Sequence, residues 1–106
     1  MIQFRISFEV GNAQAGDFEK MVHDVYGPAL TRQKGFVAWR LLTPYPDAEA
    51  VGGAETTQLD LEFEFDTEQN RLIWAESADH APAWSAAVAL ARGYQAHGSE
   101  VLGASA

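Results

Sequence analysis

IQFRISFEV, residues 2–10, alternates strictly between apolar and polar side chains. A second segment, QLDLEFEF at residues 58–65, repeats the alternation. Because successive side chains of a strand point to opposite sides, each segment predicts a strand with one apolar and one polar face. A sheet built from such strands carries helices on its apolar side only. Its polar side must meet water, a partner subunit or a ligand.

Length and composition bound the class of protein. The 106 residues are expected to form one domain, residues 1–106, and the 47% of apolar residues exclude a disordered chain. The sequence contains no cysteine, so disulfides and thiolate chemistry are excluded and a cytoplasmic location is expected. A net charge of −8 argues against nucleic acid and anionic membranes as partners. No apolar run approaches the roughly twenty residues that span a bilayer.

The order of elements follows from periodicity and turn residues. We predict four strands, at residues 2–10, 36–42, 57–65 and 94–102. The first helix begins near Gly16, and Gly27-Pro28 should break or kink it, because proline lacks an N–H and clashes with the preceding turn. The inner stripe of this helix, at the spacing of one helical face, is Phe18, Met21, Val22 and Val25.

The second helix is predicted in two halves. Asp66 or Thr67 caps the first half, the segment 76–79 interrupts the pattern, and Ser77 or Asp79 caps the second half. The predicted inner side comprises Leu72, Ile73, Trp74, Trp84, Val88 and Ala91. We expect both faces of the strand 36–42 to be covered. The long connection 43–56 is of a length that is often functional or mobile.

The resulting order, β-α-β-β-α-β, predicts an α+β, ferredoxin-like fold with a four-stranded antiparallel sheet and both helices on one face. The right-handed crossover rule places the first strand beside the third, with the second and fourth at the edges. The two most sharply alternating strands therefore form the central pair.

Several segments resemble the dimeric α+β-barrel superfamily, around the antibiotic-biosynthesis monooxygenase domains and their stress-responsive relatives. They are the first-strand pattern, Gly27-Pro28-Ala29-Leu30, Gln33-Lys34-Gly35-Phe36-Val37 leading to Arg40-Leu41-Leu42, and Ile73-Trp74-Ala75-Glu76-Ser77 leading to Trp84. The resemblance implies a homodimer in which two sheets face each other across their open faces, forming a dimeric α+β barrel. In this superfamily, part of that inter-sheet interface commonly encloses a small-molecule cavity.

Two kinds of enzyme in this superfamily can be compared with the sequence residue by residue. Haem-degrading relatives pair an asparagine on the first strand with a tryptophan and a haem-ligating histidine on the second helix. Here Ser7 or a neighbour replaces the asparagine, Trp84 matches the tryptophan, and Tyr94 falls near the histidine position, so the haem ligand is missing and haem degradation is not expected. No cofactor is predicted. Quinone-forming monooxygenases use Trp, Asn, Tyr and Arg. Similar types occur here without a positional match, as Trp39, Trp74, Trp84, Tyr94, Arg5 and Arg40.

An acidic ladder, Asp60, Glu62 and Glu64, lies on one face of the third strand. Its carboxylates are roughly 7 Å apart from one to the next, so they repel one another in a confined space. One of them could serve as a general base in a dimer cavity, or the ladder could hold a hard cation. Alternatively, the ladder is solvated or paired with Arg5 and Arg40 on the neighbouring strands.

The three histidines, His23, His80 and His97, show no metal-ligand spacing, so no metal site is predicted. His23 is expected to be solvated on the outer side of the first helix. His80 begins the second half of the second helix, where the helix dipole disfavours its cation; it could be a neutral base, but a surface or capping role is favoured. If Tyr94 points to the helices, His97 joins Arg5 and Glu62 on the open face. His97 is therefore the preferred histidine for chemistry.

The sequence is compatible with two functions. The first is binding of a small aromatic or polyketide-like molecule, with cofactor-independent oxygenation or isomerisation as the enzymatic interpretation. Its catalytic candidates are His97, Glu62 and Arg5, and its ligand-binding candidates are Trp84, Tyr94, Arg40, Asp60 and Trp74. The cavity is expected between sheet and helices, or between the sheets of the dimer. The alternative is a non-catalytic dimeric module of the stress-responsive type, in which core packing explains the tryptophans and the ladder sets the interface register.

Overall fold

The computed structural model describes residues 1–45 and 54–105. Its strands are β1 (Ile2–Gly11), β2 (Phe36–Leu42), β3 (Thr56–Phe65) and β4 (Ala91–Glu100). Its α-helices are α1 (Ala15–Met21), α2 (Gly27–Thr31), α3 (Glu68–Ala75) and α4 (His80–Leu90). A 3-10 turn (Asn12–Gln14) precedes α1, and a π-helical segment (Val22–Tyr26) joins α1 to α2. Residues 46–53 of the predicted long connection lie outside the described residues.

The four strands form one antiparallel sheet in the order β2-β3-β1-β4. Arg5 at the centre of β1 stands opposite Glu62 on β3 and opposite His97 on β4. The predicted ferredoxin-like α+β fold and its central strand pair are confirmed. The aromatic and aliphatic side chains of β1 and β3 face the helices and, with them, form the core.

The first helical region is not broken at Gly27-Pro28; the chain stays helical through it. Proline would clash with the carbonyl four residues earlier, and the wider π turn, which closes on the fifth residue, accommodates it. The extra residue per turn shifts the helical stripe by one position. Tyr26 is consequently buried, whereas the predicted core residue Val25 is 41% exposed.

The second helical region is divided as predicted, but its inner side differs. The Thr67 side chain caps α3 by accepting a hydrogen bond from the Asn70 backbone N–H (3.1 Å). Trp74 takes the inward position of α3. Leu72 and Ile73 are exposed, contrary to expectation, because three consecutive residues at 100° per residue cannot share one face. On α4 the fully buried positions are Ala83 and Ala87, and the predicted core residue Val88 is exposed.

The edge strands are less covered than predicted. The open face of β2, with Ala38, Arg40 and Leu42, is exposed within the chain, so the expectation that both faces are covered is wrong for a single protomer.

β4 begins at Ala91, three residues earlier than predicted, and it tolerates Gly98 for a packing reason. A Cβ atom at Gly98 would lie 3.0 Å from the Phe4 ring, so glycine allows that ring to lie against the strand.

Candidate functional site

A cavity of about 270 Å³ lies between the helix-facing side of the sheet and the α3–α4 region. Most of its lining is aromatic or aliphatic, and Arg71 and His80 bring basic side chains. The lining residues are Phe4, Ile6, Phe63, Arg71, Trp74, Ala75, His80, Trp84, Tyr94 and Ala96. Tyr94 is 54% exposed at the edge of the sheet, so the cavity wall reaches the surface there. An apolar cavity with few polar groups is the usual form of a small-molecule site.

The aromatic rings around the cavity contact one another in defined geometries. The His80 imidazole stacks on the Trp84 indole with centroids 6.2 Å apart and an interplanar angle of 11°. Trp74 meets the same imidazole edge-on at 5.0 Å, and Tyr94 meets Trp84 edge-on at 4.9 Å. Edge-to-face and stacked pairs of this kind stabilise the arrangement beyond simple burial. The walls are therefore ordered flat surfaces.

His80 owes its position to the break between α3 and α4. Its backbone N–H lies 3.3 Å from Ser77 Oγ and 3.2 Å from the Ser77 carbonyl, which fixes the first residue of α4. The preceding residue, Asp79, accepts a hydrogen bond from the Gln33 amide (2.9 Å), which ties the break to the end of α2. Burial of the imidazole lowers the pKa of His80, so the side chain is neutral near pH 7 and can accept a proton.

Arg71 supplies the positive charge in the cavity lining. Its guanidinium carbon lies 4.7 Å from the centroid of the Phe4 ring, a cation–π contact. Arg71 Nε donates to Glu68 Oε2 (2.9 Å), and Nη2 donates to Glu68 Oε1. The hydrogen bond to Glu68 raises the pKa of Arg71, so its charge is permanent. Arg71 was not among the site residues predicted from the sequence. Its i, i+3 spacing from Glu68 at the start of a helix is the sequence feature that indicates a positioned arginine.

The open face of the sheet carries a different cluster, built around a buried carboxylate. The Glu62 side chain is only 5% exposed and lies between the more exposed side chains of Arg5 (50% exposed) and Arg40 (64% exposed). Arg5 donates to Glu62 Oε1 through Nε (3.0 Å) and through Nη2. Arg40 Nη2 (3.0 Å) and the Gln3 amide (3.4 Å) donate to Glu62 Oε2. The hydrogen bond to Glu62 raises the pKa of Arg5.

The hydrogen bonds in this cluster occupy both carboxylate oxygens of Glu62. Each oxygen of the carboxylate already receives two hydrogen bonds, so the group is suited to holding Arg5 and Arg40 in place rather than to taking a proton from a substrate. The neighbouring ladder residue Asp60 accepts hydrogen bonds from the Gln58 amide (3.0 and 3.2 Å).

The site residues predicted from the sequence lie on two opposite faces of the sheet. Tyr94 contacts Phe8 and Trp84 on the helix side, and alternation places His97 on the open face, directly opposite Arg5. The candidates on the cavity side are Trp74, Trp84 and Tyr94. The candidates on the open face are His97, Glu62, Arg5, Arg40 and Asp60. The two sets cannot form one site within a protomer, because the sheet itself lies between them.

Two further properties bear on the kind of site. In residues 1–45 and 54–105, no group of three or more histidine and carboxylate side chains is placed to hold a metal ion. In the same ranges, no helix is long and apolar enough to cross a membrane.

Comparison with solved structures identifies the fold. A variant of SnoaB from Streptomyces nogalater, a cofactor-independent oxygenase, superposes with a TM-score of 0.75 at 17% identity, covering 97% of this chain and 94% of its own. A Bordetella bronchiseptica protein proposed to be an antibiotic biosynthesis monooxygenase has a TM-score of 0.76 at 19% identity, covering 95% and 96%. This chain shares the fold of these two proteins. The predicted resemblance is confirmed at the level of the fold.

A variant of MhuD with two manganese protoporphyrin IX molecules bound per active site is also similar. Its TM-score is 0.74 at 18% identity, with 100% of this chain and 99% of that chain covered. No protein-family model and no curated protein matches the sequence. The fold therefore accommodates both an oxygenase without a cofactor and a porphyrin-binding site, and it leaves the chemistry to the side chains of each chain.

Proposed function

We propose that this protein binds a planar aromatic molecule between the sheet and the α3–α4 region and oxygenates it with O₂, without a cofactor. The observation that carries the proposal is the aromatic cavity with one neutral imidazole in its wall. Trp74, Trp84 and Tyr94 offer flat apolar surfaces, and His80 offers a proton acceptor beside them. The fold shared with a cofactor-independent oxygenase supports the proposal.

The reaction suited to this site begins with an acidic C–H of a methylene group flanked by aromatic rings. The His80 imidazole takes one proton, which leaves a delocalised carbanion that the positive charge of Arg71, in the same cavity lining, stabilises. The carbanion reduces O₂, one oxygen atom is retained as a carbonyl, and the other leaves as water with the two hydrogens of the methylene group. The balance is R₂CH₂ + O₂ → R₂C=O + H₂O, with O₂ as the oxidant.

Anthrone is a suitable probe because it has such a methylene group and its oxidation to anthraquinone is followed by absorbance. The wild type is expected to consume O₂ and form anthraquinone in a 1:1 ratio. Removing the proton acceptor in His80→Gln should lower the rate by about 10²-fold. The matched control is His23→Gln, since His23 lies away from the cavity, against Trp39. Equal rates for wild type and His80→Gln would contradict the oxygenase proposal.

The proposal includes a homodimer formed through the open sheet face. The exposed side of β2 and the charged cluster of Arg5, Glu62 and Arg40 support it, because a face carrying both signs of charge can complement itself about a two-fold axis. In this proposal the open-face candidates His97, Glu62, Arg5, Arg40 and Asp60 serve the interface. The same cluster favours the second candidate function, a non-catalytic dimeric module. A dimer that neither binds nor oxidises aromatic probes would support that second function.

A further inference from the structure

We propose that Arg71 selects the ligand: the molecule that fills the cavity is an aromatic acid, whose carboxylate binds the guanidinium at the Phe4 end while its rings lie toward Trp74 and Trp84. This inference rests on the proposed function, because it assigns a ligand class to the same cavity. Its first support is position. Arg71 is the formal cation among the lining residues, and its side chain is only 17% exposed.

The second support is the unused hydrogen-bonding capacity of Arg71. A guanidinium has five N–H donors, and the bidentate contact with Glu68 uses Nε–H and one N–H of Nη2. The remaining three N–H groups have no protein acceptor in residues 1–45 and 54–105. A carboxylate can accept two of them in parallel, which is the geometry that arginine recognises best.

The third support is that Arg71 is already positioned. Its guanidinium is held between the Phe4 ring and the Glu68 carboxylate, so a ligand does not have to order a flexible side chain before binding it. A lysine would lack both the planar contact with the ring and the bidentate geometry.

The acidity of the chain opposes this selection without cancelling it. The net charge of −8 repels an anion at long range, but charges beyond about 8 Å are largely screened at physiological ionic strength. A direct hydrogen-bonded contact with the guanidinium of this 17% exposed side chain is screened less than those distant charges. Because the Glu68 carboxylate already compensates much of the Arg71 charge, the selection rests on direct hydrogen bonds from the guanidinium to the ligand.

The test compares two probes with the same ring system, 2-naphthoate and neutral 2-naphthalenemethanol, by quenching of tryptophan fluorescence at pH 7.5. The wild type should bind the acid about tenfold more tightly than the alcohol. In Arg71→Met the two affinities should agree within about threefold, because the affinity for the acid falls more than the affinity for the alcohol. Arg71→Lys should restore only part of the preference.

Arg92→Gln is the matched control, because Arg92 packs beside Gly11 away from the cavity, and it should keep the tenfold preference. If the wild type binds both probes equally, the cavity still binds aromatics and only the selection by Arg71 is overturned. If neither probe binds, the proposed function fails and the inference fails with it. A preference that survives in Arg71→Met would also overturn the inference.

Discussion

His80 contacts the indole rings of Trp74 and Trp84, and this burial removes hydration from its charged form. The pKa of His80 is therefore lowered relative to the unfolded chain, whose value is close to 6.5. Below about pH 6.5 the unfolded chain binds a proton that the folded chain resists. The free energy of unfolding should consequently fall as pH decreases through this window.

The corresponding prediction concerns the slope of stability with pH. Between pH 7.5 and pH 5.5 the melting temperature of the wild type should decrease more than that of His80→Gln, which has no imidazole to protonate. Asp66 and Glu68, whose pKa values are lowered by hydrogen bonds to Asn70 and Arg71, titrate below this window. Thermal denaturation followed by circular dichroism checks the prediction. Parallel slopes for the two proteins would contradict it.

Gly27 gives a prediction about close packing. A Cβ atom there would lie 2.7 Å from Trp39 Cζ2 and 2.9 Å from the Val22 carbonyl oxygen. Overpacking costs about 1–3 kcal/mol, and the better helix propensity of alanine offsets about 1 kcal/mol. Gly27→Ala should therefore destabilise the protein by up to about 2 kcal/mol in urea denaturation.

Gly16→Ala is the control for Gly27→Ala. Gly16 is also helical, and no atom lies within 4 Å of a Cβ atom built there. This substitution should leave the free energy of unfolding unchanged or raise it by about 0.5–1 kcal/mol. A destabilisation equal to that of Gly27→Ala would mean that contact with Trp39 is not the cause.

At the scale of elements, the strands were predictable from the sequence, and the helix faces were predictable only in part. Phe18, Met21 and Val22 are buried as predicted, whereas Val25 is exposed. Period-two alternation fixes which side chains of β1 and β3 share a face, because a strand has only two faces. The helical stripe of the first region depended on the π turn before Pro28, a backbone adjustment that shifts Tyr26 into the core in place of Val25. Pro28 signals a disturbance of the helix, but a break and a π turn both relieve its clash, so the residue types do not specify which one forms.

The same limit explains the candidate site. The sequence placed Trp74, Trp84 and Tyr94 together on the basis of residue type, and these three do line the cavity. The sequence analysis preferred His97 over His80 because the alternation of a strand shows which face a residue lies on. The stacking of His80 on Trp84 depends instead on the turn geometry of the α3–α4 break, which residue types do not show.

The cluster on β3 gives a prediction at this scale. Glu62→Gln removes the negative charge that holds Arg5 and Arg40. Hydrogen bonds to charged groups contribute about 1.5–3 kcal/mol, and exposure of both arginines to solvent reduces this contribution. The substitution should therefore destabilise the protein by about 1–2 kcal/mol. Glu64→Gln on the same face is the control and should change stability by less than about 0.5 kcal/mol. Equal effects in urea denaturation would show that the cluster contributes nothing specific.

At the scale of the whole molecule, the open sheet face leads to a prediction about assembly. Sedimentation at micromolar concentration should give about twice the chain mass of 11.6 kDa. Leu42→Glu adds a charge to an exposed apolar position beside the acidic residue Asp60 on that face, so it should shift the protein toward the monomer. Ile73→Glu, at an exposed position on α3, should leave the dimer intact. A monomeric wild type would contradict the dimer proposal.

The central claim is that an aromatic molecule occupies the cavity between the sheet and the α3–α4 region. A crystal structure of the protein with 2-naphthoate tests it most directly. We predict difference density for the rings beside Trp74 and Trp84, with the carboxylate within hydrogen-bond distance of Arg71. Density for the ligand on the open face beside Arg5 and His97, with the cavity unchanged, would contradict the claim.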